Sequence, residues 1–228
     1  MPENHQAKRI IKTLTGPWEM RHLPKMAAAL PRWVVPDHLT VLGILAALVI
    51  ALGYTLTRYS LVWLWFSNFG LLLHWYADSL DGTLARVRHI ERERYGYFVD
   101  HITDAFSVFI ICLGLGASPL MDLRVAMLLA VGYLLLNIYV HVAAYTRDLF
   151  ILSFAKIGPT EVRIFIFLAN LVLMFWNPVV GETFNVSLTV VDLAGLVITV
   201  IFISLFFILG IKDAIKLDRL DRSKSKNI

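Results

Sequence analysis

LVWLWFSNFGLLLHWYADSLDGTLARVRHIERERYGYFVDHITDAFSVFIICLGLGA, residues 61–117, contains two apolar runs, 61–77 and 97–117, joined by an arginine-rich connection. Each run is close to the roughly 20 helical residues that cross a hydrocarbon core about 30 Å thick. Four aspartates, Asp78, Asp81, Asp100 and Asp104, stand where the runs meet the connection. Ionisable groups in or beside a membrane span are costly and mark functional candidates. The stretch therefore predicts a transmembrane helical hairpin with carboxylates gathered at one end.

The rest of the chain has the same character. Of 228 residues, 58% are hydrophobic and 17% charged, and the mean hydropathy is +0.69. A soluble domain carries more charge and less apolar surface. This composition argues against a water-soluble globular enzyme and excludes intrinsic disorder. The one cysteine, Cys112, lies in an apolar run, so neither a disulfide framework nor a thiolate metal cluster is expected. The net charge of +4 is read as cytoplasmic loops facing anionic lipid, with no nucleic-acid partner.

Six spans are expected, at residues 39–57, 61–77, 97–117, 124–145, 161–180 and 188–211. Backbone groups in lipid must be satisfied internally, and the alternation of a barrel strand is absent, so the expected class is all-α integral membrane. The first twelve residues are polar and predict no cleavable signal peptide. An even number of spans puts both termini on one side. On that side fall the N-terminal and C-terminal bases, the Arg86–Arg94 connection and the bases Arg147, Lys156 and Arg163. Only Arg58 and Arg124 of the 21 basic residues fall on the other. The positive-inside rule makes that richer side cytoplasmic.

Residues 1–35 are expected to form a basic cytoplasmic segment containing an amphipathic interfacial helix. Trp18, Leu23, Met26, Ala27, Leu30 and Trp33 would make its apolar face, with interruptions near Pro24 and Pro31. Residues 36–211 would form the six-span domain. Residues 212–228 would form a basic cytoplasmic tail that extends the last helix and frays.

The four aspartates have helical spacing. Asp78 and Asp81 are i,i+3, and Asp100 and Asp104 are i,i+4, so each pair shares a helix face. Two adjacent antiparallel helices would present all four carboxylates to one point. Such a cluster needs a cation to stay ionised at low dielectric. Hard oxygen donors favour Mg²⁺, Mn²⁺ or Ca²⁺, and paired divalent ions suit displacement at phosphorus.

The run Asp78-x-x-Asp81-Gly82-x-x-Ala85-Arg86, followed by Gly96-x-x-x-Asp100-x-x-x-Asp104, resembles the signature of the CDP-alcohol phosphotransferases. All eight signature positions are filled. The resemblance implies transfer of a substituted phosphoryl group from a CDP-linked donor to an alcohol, with release of CMP. It implies two divalent ions, Mg²⁺ or Mn²⁺, held by Asp78, Asp81, Asp100 and Asp104. Asp104 would also be the base that takes the acceptor's proton. Gly82 and Ala85 would let the nucleotide approach, Arg86 would bind the diphosphate, and Asp81 and Thr40 would also contact the donor. A homodimer is implied as well, and Gly43, Ala47 and Ala51 offer small residues for close helix contact.

Other features have two readings each. Pro36-Asp37-His38-Leu39-Thr40 resembles the family's Pro-Asn-x-x-Thr opening of the first helix, with Asp37 in place of Asn. Asp37 is then either a helix N-cap or a nucleotide contact. Lys156, Glu161 and Arg163 would line the acceptor or donor pocket, or simply start a helix and snorkel. His141, Tyr145 and Asn137 follow helical spacing and would line the same cavity or form an interhelical seam. His101 is expected to pack, and Asp192 to make a polar interhelical contact. The favoured donor is CDP-diacylglycerol with a small polar acceptor. The alternative is a CDP-choline or CDP-ethanolamine donor with a lipid acceptor such as diacylglycerol. A divalent-cation transporter is the reading from another class, and it would need acidic residues at several membrane depths.

Overall fold

The computed structural model describes residues 13–147, 158–176, 179–183 and 186–225. Its elements are α1 (Gly16–Ala29), α2 (Pro36–Leu56), a 3-10 turn (Leu61–Trp63), α3 (Leu64–Val87), α4 (Glu93–Gly116), α5 (Leu123–Arg147), α6 (Pro159–Leu173), β1 (Val179–Thr183), β2 (Val186–Thr189) and α7 (Val190–Ser225). Among the described residues, four helices are long and apolar enough to cross a membrane: α2, α4, α5 and α7. The other two expected spans are also helical. α3 carries Asn68, His74, Asp78 and Asp81 on its 24 residues. α6 has only 15 residues, fewer than a perpendicular crossing requires.

The expected fifth span, 161–180, is therefore corrected. The helix ends at Leu173, and an antiparallel hairpin follows, with Val179 opposite Thr189 and Thr183 opposite Val186. Pro178 in the sequence lacks a backbone donor and disfavours helix at the residue before it. α7 starts from a capping box: Thr189 N–H donates to Asp192 Oδ2 at 2.8 Å, and Asp192 N–H donates to Thr189 Oγ1 at 3.1 Å. Asp192 Oδ1 also accepts from Asp122 N–H at 2.6 Å. This one carboxylate thus starts α7 and ties it to the turn before α5.

α2 is the hub, because small residues on it and on its neighbours let two helices approach. A Cβ on Gly53 would lie 2.6 Å from Ser67 N, one on Gly70 3.0 Å from Ile50 N, and one on Gly114 2.4 Å from Ala51 Cα. Ala46 and Ala47 are fully buried, and a Cβ on Gly43 would face Ala77 at 3.8 Å. This corrects the expectation for Gly43, Ala47 and Ala51: they pack α2 against α3 and α4 inside one chain.

α1 runs through Pro24 without a break and ends at Ala29, with Leu30 as its C-cap before Pro31. The expected interruption at Pro24 is absent. The carbonyl that Pro24 leaves unpaired belongs to Met20, a residue 74% exposed, where water can satisfy it. Leu23 and Ala27 bury against Val34, Leu39, Leu80 and Leu84, with Met26 and Leu30 alongside. Most of the apolar face is thus covered by α2 and α3, while Trp18 and Trp33 stay exposed. Arg88 fastens the far end of α1, donating to Leu30 O and Pro31 O at 2.9 Å each and to Val34 O. Leu30 is the C-cap of α1, and Pro31 and Val34 belong to the loop that leads to α2, so Arg88 ties that loop to the end of α3. Asp37 is not an N-cap, since Val35 holds that position and Pro36 begins the helix. Asp37 lies in the first turn, where a carboxylate complements the helix dipole, and pairs with Arg92.

Candidate metal and substrate site

The close α2–α3 and α2–α4 contacts bring the C-terminal end of α3 beside the N-terminal end of α4. Carboxylate oxygens of Asp78, Asp100 and Asp104 lie within 4.8 Å of one another. Asp81 stands outside this trio but lines the same cavity, together with Thr40, His74, Thr103 and Ser107. Thr40 Oγ1 donates to Asp81 Oδ2 at 3.3 Å, which fixes the start of α2 against the motif. Asp81 Oδ1 accepts from Gly82 N–H at 2.5 Å. The cavity measures about 20 Å³, enough for an ion or a water but too small for a nucleotide.

Arg163, on α6, reaches this centre. Its guanidinium donates to Asp78 Oδ2 at 2.7 Å and lies 3.1 Å from His74 Nδ1. His74 sits one turn before Asp78 on α3, so both face α6. One guanidinium against three converging carboxylates leaves negative charge uncompensated. The donors are all hard oxygens, and the trio fits a divalent cation such as Mg²⁺ or Mn²⁺. The position of Arg163 had been expected near substrate; its observed partners are a motif aspartate and a histidine.

The remaining candidates fall at various distances from the carboxylates. Gly82 is exposed on α3, and a Cβ there would meet only the guanidinium of Arg86, at 3.4 Å and beyond. No neighbouring helix demands glycine there. Arg86 donates to Thr83 Oγ1 at 3.1 Å, and Ala85 is half-buried on the same helix. A Cβ on Gly96 would meet nothing within 4 Å.

Glu161 is used structurally. Its carboxylate accepts from Gly158 N–H at 2.9 Å, closing the first turn of α6, and from Thr15 N–H at 2.8 Å and Thr15 Oγ1 at 3.0 Å. Thr160 Oγ1 donates back to Glu19 Oε1 at 2.5 Å. The first turns of α1 and α6 thus exchange carboxylates, each placed at a positive helix N-terminus.

His141 belongs to a ring cluster at the start of α4. It lies 3.9 Å from His101 between ring centroids and 3.1 Å from the Tyr97 hydroxyl. His101 Nδ1 lies 3.1 Å from Asp100 Oδ2. His101 packs as expected, against the rings of Tyr97 and His141, and in addition reaches back along the helix to the preceding carboxylate. Lys156 and the side chain of Tyr145 lie outside the described residues. Sequence reasoning missed His74 and Ser107. His74 carried a usable signal, a histidine inside a span and four residues from Asp78.

A family model described as CDP-alcohol phosphatidyltransferase matches residues 33–209. None of the curated proteins compared with the chain matches it.

Proposed function

The chain belongs to the CDP-alcohol phosphatidyltransferase family, whose members are transferases of phosphate-containing groups, and from that premise we propose that it moves a phosphatidyl group from CDP-diacylglycerol to a small polar alcohol, releasing CMP. The observation that carries this reading is the convergence of Asp78, Asp100 and Asp104 within 4.8 Å. Asp78, Asp81, Asp100 and Asp104 would hold two divalent ions. When bound, the ions neutralise charge on the phosphoryl oxygens and orient donor and acceptor.

The chain's own residues do the rest. Asp104 takes the proton from the acceptor hydroxyl as its oxygen attacks phosphorus. The new P–O bond forms as the bond to CMP breaks, and CMP leaves as an anion. Such displacement depends on positioning and charge more than on covalent help. The donor's nucleotide lies along the open face of α3 at Gly82 and Ala85, beside Thr40. Arg86, with its planar fork, binds the diphosphate. The charge of Arg163 is engaged by Asp78, which supports an acceptor without a phosphate of its own.

In this reading all six helices α2–α7 traverse the bilayer. α3 qualifies by length: 24 residues rise about 36 Å. α6 runs antiparallel to α3, from Arg163 at Asp78 to Asn170 at Asn68. α1 lies at the cytoplasmic surface with Trp18 and Trp33 toward lipid, and the active site opens to the cytoplasm. The enzyme acts as a homodimer. The deciding experiment incubates purified protein with CDP-diacylglycerol or CDP-choline and a panel of alcohols, and measures CMP by mass. CMP release with CDP-diacylglycerol and a small alcohol is expected. Release only with CDP-choline and diacylglycerol would reverse the assignment of donor and acceptor.

A further inference from the structure

α6 carries Arg163 to the carboxylates, yet it is short and its apolar contacts are unselective. Ile166, Phe167 and Leu173 pack against a cluster of Ile50, Tyr54, Leu64, Leu71 and Leu120. Such contacts are non-directional and would tolerate a slip along the helix axis. One contact would not tolerate it. Asn170 Nδ2 donates to Asn68 Oδ1 at 2.8 Å, and Tyr54 Oη donates to Asn170 Oδ1 at 3.1 Å. Asn68, Asn170 and Tyr54 are 1%, 2% and 3% exposed.

Arg163 and Asn170 are seven residues apart, two turns on one face of α6. Their partners, Asp78 and Asn68, lie ten residues apart on α3 in the opposite order, as antiparallel helices require. A slip of one turn, about 5.4 Å, would set the Asn170 amide against leucines of α3. It would leave two buried amides unpaired and remove Arg163 from Asp78. Asn68 Nδ2 is already buried with a partner for neither of its N–H groups among the described residues. A pair with an unmet donor is a poor choice for stability alone, whereas a single polar pair in an apolar seam does fix register.

We propose that the Asn68–Asn170 amide pair is a positioning device that sets the register of α6 and so holds Arg163 on Asp78. The inference rests on the reading of Asp78 as a metal ligand for its functional consequence, but not for the register itself. The test is Mn²⁺ binding to substrate-free protein, followed by electron paramagnetic resonance. Arg163→Met should tighten Mn²⁺ binding on the order of tenfold, because a guanidinium beside Asp78 opposes a second cation. Asn170→Leu should shift affinity in the same direction while Arg163 is present, and by less than about twofold in the Arg163→Met background, as coupled residues do. Equal effects in both backgrounds, or no effect in either, would overturn the proposal. Tyr54→Phe, which removes a single hydrogen bond, repeats the cycle if Asn170→Leu does not fold. A second readout needs no metal: a Leu71→Cys/Phe167→Cys pair in a Cys112→Ser background. It should cross-link with native Asn170 and lose cross-linking with Asn170→Leu. Unchanged cross-linking would refute the register role, whereas loss of cross-linking on Asn170→Leu in a protein that binds no Mn²⁺ with native Asn170 would refute only the metal site.

Discussion

Asp104 stands second in its helical pair and completes the carboxylate trio with Asp78 and Asp100. If it accepts the acceptor's proton, Asp104→Asn keeps the shape and removes the basicity. Turnover should fall by about 10²–10⁴, the usual worth of a general base, while donor binding persists; single-turnover CMP release and a donor-binding measurement separate the two. Chelation tests the other role of the cluster. EDTA should abolish CMP release, and Mg²⁺ or Mn²⁺ should restore it; full activity in EDTA would eliminate the metal-site reading. The trio was legible from i,i+4 spacing on one helix and the neighbouring carboxylate on the other. The offset of Asp81 was not, because it depends on Thr40 reaching across from α2. Nor was the pairing of Arg163 with Asp78, since periodicity within one helix does not say which helix it faces.

Helix starts show how elements share the work of placing these residues. Glu161 accepts from Gly158 and twice from Thr15, so Glu161→Ala removes a cap from α6 and a tether from α1. A lost cap costs about 1–2 kcal/mol, which for a chain of this size lowers Tm by roughly 2–8 °C. Thermal unfolding in detergent should show that drop, and Thr15→Val a smaller one; an unchanged Tm would mean that the clasp contributes nothing. Helices α2, α4, α5 and α7 were legible because their apolar runs are long. α6 was read too long, since an apolar stretch of 161–180 does not distinguish helix from the strand that begins at Val179. The capping pair Thr189 and Asp192 was present in the sequence and marked where α7 begins. α1 was legible as an amphipathic helix, but an apolar stripe fits a protein partner as well as a lipid surface, and α3 takes most of it.

For the whole molecule, contacts between connections sort the helix ends into two groups. Arg58, just after α2, donates to Ala117 O at the end of α4 at 2.6 Å. Arg92, in the α3–α4 connection, pairs with Asp37 at the start of α2. The ends of α2 and α4 thus share one pole, and the start of α2 and the carboxylate site share the other. α3 joins the two poles, and its 24 residues are long enough to cross the hydrocarbon core despite their polar positions. The sorting does not say which pole faces the cytoplasm, and the proposed orientation rests on the charge pattern. The pole bearing Arg86, Arg88, Arg92 and Arg94 is the basic one, while Arg58 and Arg124 belong to the other, which by the positive-inside rule supports the proposal that the site faces the cytoplasm. In a Cys112→Ser background, a cysteine replacing Glu91 should therefore react with an impermeant maleimide only after the cells are opened. One replacing Ser60 should react on intact cells. Both positions are exposed, so reactivity reports sidedness rather than burial. The reverse labelling pattern would put the carboxylates on the outer face, away from a cytoplasmic CDP-linked donor, and the proposed reaction would fail with the orientation.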